Sequence, residues 1–355
     1  MREGWEYTVL GEVVEKASSN ISLNKIQDEI GEYPVYGAKG FVKNVSFFQR
    51  EKEYLAIIKD GAGIGRVSKH PANSSVLATM QYIIPKEGYQ IDFIRYFLES
   101  LDFEEYRTGS TIPHIYFKDY KKARFPLVGL AEQKQIVKLL DQAFEAIDQA
   151  KANIEKNIAN AKELFQSKLN EVFSQKGEGW EEKTWNDILE IRSGRNQKEV
   201  INPNGKYPIL GSAGKIMGYA DKYICEEFTT IVGRKGTINN PMLIKEKFWN
   251  VDTAFGLHAK EGLDKVFLYY FCRSFNFEEM DRGSGRPSLV KSDLLKISMP
   301  IPSIEKQKEL VEQLEVLQNE TKIVESHYHQ KLTNLEELKK SILQKAFSGE
   351  LTNPN

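Results

Sequence analysis

Two short stretches of the chain combine residue types suited to contacting a phosphate-bearing polymer. Arg107-Thr108-Gly109-Ser110-Thr111-Ile112-Pro113-His114 and Arg282-Gly283-Ser284-Gly285-Arg286-Pro287-Ser288 mix glycine, hydroxyl and guanidinium groups. Glycine lets a backbone approach a partner closely, Ser and Thr can hydrogen-bond phosphates or base edges, and Arg can read guanine through two parallel bonds. Each stretch belongs to a locally basic segment. Residues 106–124 hold Arg107, Lys118, Lys121, Lys122 and Arg124 against Asp119, and residues 281–296 hold Arg282, Arg286, Lys291 and Lys296 against Asp281 and Asp293. A second pair of loops, Gly61 to Arg66 and Gly233-Arg234-Lys235-Gly236, has the same glycine-plus-base character. The side chains expected to contact DNA are Lys43, Arg66, Arg107, Thr108, Ser110, Thr111 and His114 in the first half, and Lys215, Arg234, Lys235, Arg282, Ser284, Arg286 and Ser288 in the second.

Other chemistry finds no support. Gly61-Ala62-Gly63-Ile64-Gly65 lacks the spacing of a dinucleotide fingerprint, and Gly211-Ser212-Ala213-Gly214-Lys215 lacks the spacing and the Ser or Thr of a phosphate loop, so both read as tight turns. His70, His114, His258, His327 and His329 show no metalloprotease spacing. Glu181-Glu182-Lys183 resembles a nuclease acid-x-lysine, but no Pro-Asp partner precedes it. Cys225 and Cys272 can build neither a disulfide framework nor a four-ligand zinc site, and are expected to be core thiols.

Composition sets the frame for these loops. At 355 residues the chain exceeds one ordinary domain, and 41% hydrophobic with 28% charged residues describes a globular protein. No run of eighteen apolar residues exists, and Met1-Arg2-Glu3-Gly4-Trp5 lacks the apolar stretch of a signal peptide, so a cytoplasmic location is expected. The net charge of -1 denies a globally basic nucleic-acid binder. A DNA site must therefore be a local patch, and a coiled-coil scaffold that binds proteins without DNA is the alternative reading.

The elements that would position the loops are duplicated. An offset of 174 residues carries Gly31, Tyr33, Pro34, Gly37 and Gly40 onto Gly205, Tyr207, Pro208, Gly211 and Gly214. The same offset carries Phe93, Tyr96 and Phe97 onto Phe267, Tyr270 and Phe271, and Gly109, Ser110, Pro113, Gln133 and Leu140 onto Gly283, Ser284, Pro287, Gln307 and Leu314. Gly4-Trp5-Glu6 reappears as Gly179-Trp180-Glu181. Residues 1–128 and 180–302 are rich in turns and short β runs, such as Tyr54-Leu55-Ala56-Ile57-Ile58 and Phe228-Thr229-Thr230-Ile231-Val232, and each includes one amphipathic helix around the repeated aromatics. These parts are mixed α and β, so the fold class is α+β with an internal pseudo-twofold repeat.

Residues 131–173 and 305–347 are almost free of Gly and Pro. A heptad seam through Ile136, Leu140, Ala143, Ile147, Ala150, Ile154, Asn157, Ala161 and Leu164 predicts a long helix, with a second through Leu310, Leu314, Leu317, Thr321, Val324, Tyr328, Lys331, Leu335 and Leu338. Asn157 and Lys331 are expected at matching polar positions inside that seam. At about 1.5 Å per residue each rod is roughly 65 Å long. Pseudo-identical partners make the rods antiparallel, with one globular part at each end. Pro126, Pro300 and Pro302 precede the rods, Ser303 can cap the second, and Gly177 and Gly349 follow their ends.

With these motifs in place the chain resembles the specificity (S, HsdS) subunit of type I restriction-modification systems over essentially its whole length. Phe125-Pro126-Leu127-Val128-Gly129-Leu130-Ala131-Glu132-Gln133-Lys134-Gln135 is similar to that family's proline-led approach to its first conserved helix. The second copy, Met299-Pro300-Ile301-Pro302-Ser303-Ile304-Glu305-Lys306-Gln307-Lys308, departs by placing Lys306 where the first has Glu132. Gly109-Ser110 with Pro113 and Gly283-Ser284 with Pro287 resemble the Gly-Ser-x-x-Pro stretch that closes each target recognition domain. The rod ends resemble the family's Leu-x-x-x-Phe-Ser-Gly close, with Gln175 in place of the first glycine.

The resemblance implies a first target recognition domain at 1–128, a conserved spacer helix at 129–179, a second recognition domain at 180–302 and a second spacer helix at 303–355. It implies a noncatalytic subunit that recognises a bipartite double-stranded DNA target and docks two methyltransferase subunits, and restriction subunits where these are present. S-adenosylmethionine, ATP and Mg would then belong to the partner subunits, with no cofactor in this chain.

Overall fold

The computed structural model describes residues 5–174 and 177–351; Gly4 and Gln175 lie outside them. The chain forms two compact units, one built from the residues up to Ile154 together with those from Gln330 onward, the other from Glu155–His329.

In unit one the apolar run Tyr54–Ile58 is buried along its whole length, as an unbroken apolar run requires, and lies inside a four-stranded antiparallel sheet ordered Val14–Ser18, Met80–Pro85, Tyr54–Ile58, Val67–His70. A three-stranded sheet places Tyr33–Gly37 between Gly40–Val45 and the parallel strand Ser75–Val76. Glu6–Val9 pairs with Arg124–Leu127. The helix Ile91–Glu99 buries Phe93, Ile94 and Phe97, with Phe125 edge-on to both rings.

Unit two repeats this topology. Its four-stranded sheet runs Leu189–Ser193, Ala254–Ala259, Thr229–Gly233, Met242–Ile244, its three-stranded sheet Ile216–Ala220, Tyr207–Leu210, Trp249–Asn250, and Glu181–Thr184 pairs with Ser298–Ile301. The helix Lys265–Ser274 is capped by Asp264, whose carboxylate accepts from the Val266 and Phe267 amides. Cys225 and Cys272 are both buried free thiols.

Two long helices, Leu130–Ser174 and Ile304–Ser348, contribute to each unit. In unit one Lys151 pairs with Glu336 while the Lys339 ammonium sits 4.6 Å from the Phe144 ring centroid, so the two segments run antiparallel. In unit two Lys162 lies 3.9 Å from Glu325. Ser303 Oγ accepts from the Lys306 amide at 3.3 Å, and Gly349 follows the last turn of the second helix.

The apolar stripe differs from the heptad reading. On the first helix the inward positions are Ile136, Leu140, Phe144, Ile147, Lys151, Ile154, Ile158, Ala161, Phe165, Leu169 and Val172, ten steps over 36 residues. On the second they run Leu310, Leu314, Leu317, Thr321, Glu325, Tyr328, Leu332, Leu335, Lys339, Leu343 and Ala346. Both average 3.6 residues, the period of an ordinary α-helix, and a 3.5 repeat falls out of phase by about 20° per heptad. Asn157, Leu164, Val324, Lys331 and Leu338 are therefore exposed, so the polar pair expected inside the seam lies on the outward side.

Each long helix is latched to its unit by a buried glutamine. Gln133 accepts from the Gln90 amide at 2.8 Å and donates to the Gly88 and Val128 carbonyls at 3.3 and 2.9 Å. Gln307 accepts from the Asp264 amide at 2.8 Å and donates to the Gly262 and Pro302 carbonyls at 3.0 and 2.9 Å. The side chain satisfies three backbone groups at the junction of the short helix, the long helix and the strand before it.

Candidate nucleic-acid interface

The basic loops singled out above come together within each unit. In unit one the Gly61 amide donates to the Pro113 carbonyl at 2.9 Å and the Ile115 amide to the Lys59 carbonyl at 3.0 Å, stitching loop 59–66 to loop 107–115. Thr108 and His114 exchange backbone hydrogen bonds at 2.8 Å, closing the second loop. The Asp60 amide reaches the Thr79 carbonyl at 3.3 Å and the Leu77 amide reaches the Tyr36 carbonyl at 2.8 Å, tying both loops to the hairpin of strands Tyr33–Gly37 and Gly40–Val45. Arg66 adds a direct link, its guanidinium donating to the Ala38 carbonyl at the hairpin turn.

Unit two is assembled by the same ties. Gly236 donates to the Pro287 carbonyl at 2.8 Å, Leu289 to Arg234 at 2.8 Å, Arg282 to Ser288 at 2.9 Å, Arg234 to Thr253 at 2.8 Å and Val251 to Leu210 at 3.1 Å. Gly109 and Gly283 are required by the closed loops. A Cβ on Gly109 would stand 2.3 Å from the Ile112 carbonyl oxygen, and one on Gly283 would stand 1.9 Å from that of Arg286.

Around this shared backbone the side chains differ. In unit one His114 Nδ1 lies 2.8 Å from Asp60 Oδ1, and Lys59 contacts the other carboxylate oxygen. Burial tends to raise the Asp60 carboxyl, but the hydrogen bonds from Lys59 and His114 outweigh it and hold the group below the usual carboxylate range. Arg107 pairs with Glu104 at 3.1 Å, Thr108 Oγ1 donates to the His114 carbonyl at 3.1 Å, and Ser110 and Thr111 are exposed at the loop tip. Lys43 is half-buried on the hairpin, where it donates to the Gln27 carbonyl at 2.9 Å.

In unit two the Asp281 carboxylate accepts from the Gly283 and Ser288 amides, each at 2.7 Å, and these bonds hold it below the usual range. The guanidinium of Arg286 lies over the open face of Gly236. Arg282 pairs with Asp293 at 3.3 Å, and the Arg234 guanidinium reaches the Asp252 carbonyl at 3.4 Å. Ser284, Lys235 and Lys215 are exposed, and Ser288 is half-buried by its pairing with Lys235. Lys215 sits at the hairpin turn, where its carbonyl accepts from Gly211 at 3.1 Å.

The loops are thus gathered, while Lys43 lies on the flank of the hairpin away from the turn. Composition-based reading missed Lys59, Asp60 and Asp281, which shape the loops, and Thr79 and Thr253, whose carbonyls hold them. Gly61 and Gly236 make the same hydrogen bond at an offset of 175, one more than the repeat, which hides their equivalence. Glu181-Glu182-Lys183 lies on an exposed edge strand, and His327 and His329 are exposed. Among the described residues no group of three His, Cys, Asp or Glu is placed to hold a metal ion, and no helix is long and apolar enough to cross a membrane.

The type I restriction modification DNA specificity domain matches this sequence over residues 2–160 and again over 177–334. The chain belongs to that family. Among its curated relatives, the type I restriction enzyme MjaVIII specificity subunit of Methanocaldococcus jannaschii is 24% identical over 98% of this chain and 93% of the relative. The EcoDI specificity subunit of Escherichia coli is 23% identical over 98% of this chain and 89% of its own length. The fold is shared with a chain solved in work on complex assembly and conformational transition of the type I R-M system, at a TM-score of 0.81 and 15% identity over 98% of this chain and 99% of that one. It is also shared with the HsdS subunit of Thermoanaerobacter tengcongensis, at a TM-score of 0.59 and 16% identity over 99% and 98%. The family's two domain copies match the two units, each with one stitched loop cluster.

Proposed function

We propose that this chain is the noncatalytic subunit that chooses the DNA target of a type I restriction-modification complex, with each loop cluster reading one half of a bipartite site. The observation that carries this reading is the duplicated cluster, in which Gly61 on Pro113 and Gly236 on Pro287 hold two glycine-rich basic loops side by side. Lys215, Lys235, Arg66, Arg107, Arg234 and Arg282 would neutralise phosphates and fix register. Lys43, His114, Arg286 and the hydroxyls of Thr108, Ser110, Thr111, Ser284 and Ser288 would address bases or sugars. Catalysis would belong to partners: two methyltransferase subunits supplying S-adenosylmethionine chemistry, and restriction subunits using ATP and Mg, in the cytoplasm.

Binding of duplex DNA by the chain with its methyltransferase partner should fall linearly in log affinity with log salt. The double variant Arg107→Ala, Arg286→Ala should bind more weakly, and methylation mapping in a host carrying the partner genes should return a two-part motif. Salt-dependent binding by the double variant equal to that of the parent would overturn the assignment of these arginines.

A further inference from the structure

Each unit carries a bulged hairpin beside its basic loops. In unit one the register shifts between Val35 and Tyr36, leaving Tyr36 opposite Phe41; in unit two it shifts between Ile209 and Leu210, leaving Leu210 opposite Ile216. Phe41 and Ile216 thus hold the same structural place, directly after the hairpin turn, although the 174-residue offset would align Phe41 with Lys215. Both are large apolar side chains left exposed, at 62% and 53%. Phe41 is braced from one side by the Tyr36 ring, edge-on at 6.3 Å. A bulge re-aims side chains and is a built feature of a strand pair.

The surroundings decide what could cover these side chains. The turn before Phe41 carries exposed Lys39 and is held to the loop of Arg66 by that guanidinium, while exposed Lys215 immediately precedes Ile216. Tyr36 and Leu210, the residues opposite Phe41 and Ile216, accept the backbone bonds from Leu77 and Val251 that tie each hairpin to its loops. The buried centre of a protein interface is depleted in charge, and lysine especially. A DNA-facing surface combines basic residues with apolar groups that pack on thymine methyls or wedge into base steps.

We propose that Phe41 and Ile216 are apolar base-contacting residues, each packing against bases of duplex DNA and setting preference at a few adjacent positions in the half-site read by its own unit. The inference rests on the target-recognition reading above and adds an uncharged component to it.

The test uses the full chain assembled with its methyltransferase partner and a pool of random-sequence duplexes, with bound molecules sequenced and a salt titration run on the recovered duplex. Phe41→Ala should bind that duplex about tenfold more weakly at every salt concentration, with the slope of log affinity against log salt unchanged, and should lose preference at adjacent positions of one half of the motif. Ile216→Ala should do the same in the other half. Phe41→Leu, which keeps an apolar contact, should retain most of the affinity, whereas Arg66→Ala should lower the slope.

Parent-like motifs and affinities in both alanine variants would overturn the inference while the salt slope of the parent upheld DNA binding. So would failure of the variants to assemble with the partner while the assembled fraction bound DNA normally, since that marks a protein contact. A parent complex with no salt-dependent binding would overturn the target-recognition reading itself.

Discussion

The loop clusters of the two units have the same backbone ties and are both net basic, but they set a carboxylate and a guanidinium on opposite loops. Where unit one has Asp60 across from a loop that begins at Arg107, unit two has Arg234 across from a loop that begins at Asp281. A carboxylate and a guanidinium thus exchange places. The carboxylate holds loop structure in both cases, in unit one by bridging to the His114 ring of the facing loop and in unit two by gripping two amides of its own loop. The frame depends on main-chain geometry and glycine, so the side chains facing outward can change sign and shape without altering it. A duplicated reader needs this separation if its two halves are to prefer different sequences.

The sharpest way to break the symmetry is to attack the frame in one unit at a time. Gly283→Ala places a Cβ against the Arg286 carbonyl and should abolish preference in one half of the motif, weakening specific binding on the order of a hundredfold, while the other half survives. Gly109→Ala should give the mirror outcome, read by the same selection from random duplexes. Next in size is the latch. Gln133→Ala and Gln307→Ala each orphan three backbone groups beside an almost fully buried side chain, and each should lower stability by about 3 kcal/mol in denaturant melts. Equal losses would show the two units to be built alike at this joint.

Smaller effects should separate the two loop closures. Asp281→Asn keeps an oxygen for the Gly283 and Ser288 amides and should preserve the motif of its unit, whereas Asp281→Ala should blur it. In unit one the Asp60 carboxyl titrates lower in the folded chain than in the unfolded one. The native state therefore holds fewer protons than the unfolded state between the two values. Its contribution to stability is present above the ordinary carboxylate pKa, near 4, and is lost as pH falls through the folded value. Asp60→Asn should remove that part of the acid dependence, seen as a flatter plot of melting midpoint against pH below about 5.

Much of this was legible from residue types. The duplicated glycines and aromatics marked two like units, the apolar runs at Tyr54 and Thr229 became buried strands, and the two stretches almost free of Gly and Pro became 45-residue helices. The gathering of the loops was legible only in part, because proline and glycine positions mark turns without saying which turns share hydrogen bonds. Asp60 went unread and Asp281 counted only as an offset to the basic residues around it, because a carboxylate's bonds to a ring or to main-chain amides do not show in residue types. The seam failed at Asn157 and Lys331 for a numerical reason: over the first few turns 3.5 and 3.6 residues select the same positions, and they part only with length.

That period has a practical consequence for altering either long helix. A face repeating every 3.6 residues returns to itself after about eighteen, or five full turns, and is reversed after about nine. Segments of the longer length inserted into a long helix leave its inward face continuous. Segments of half that length turn every inward residue beyond the insertion towards water and bring the polar face inward, so viable natural or engineered length variants should cluster at whole numbers of turns.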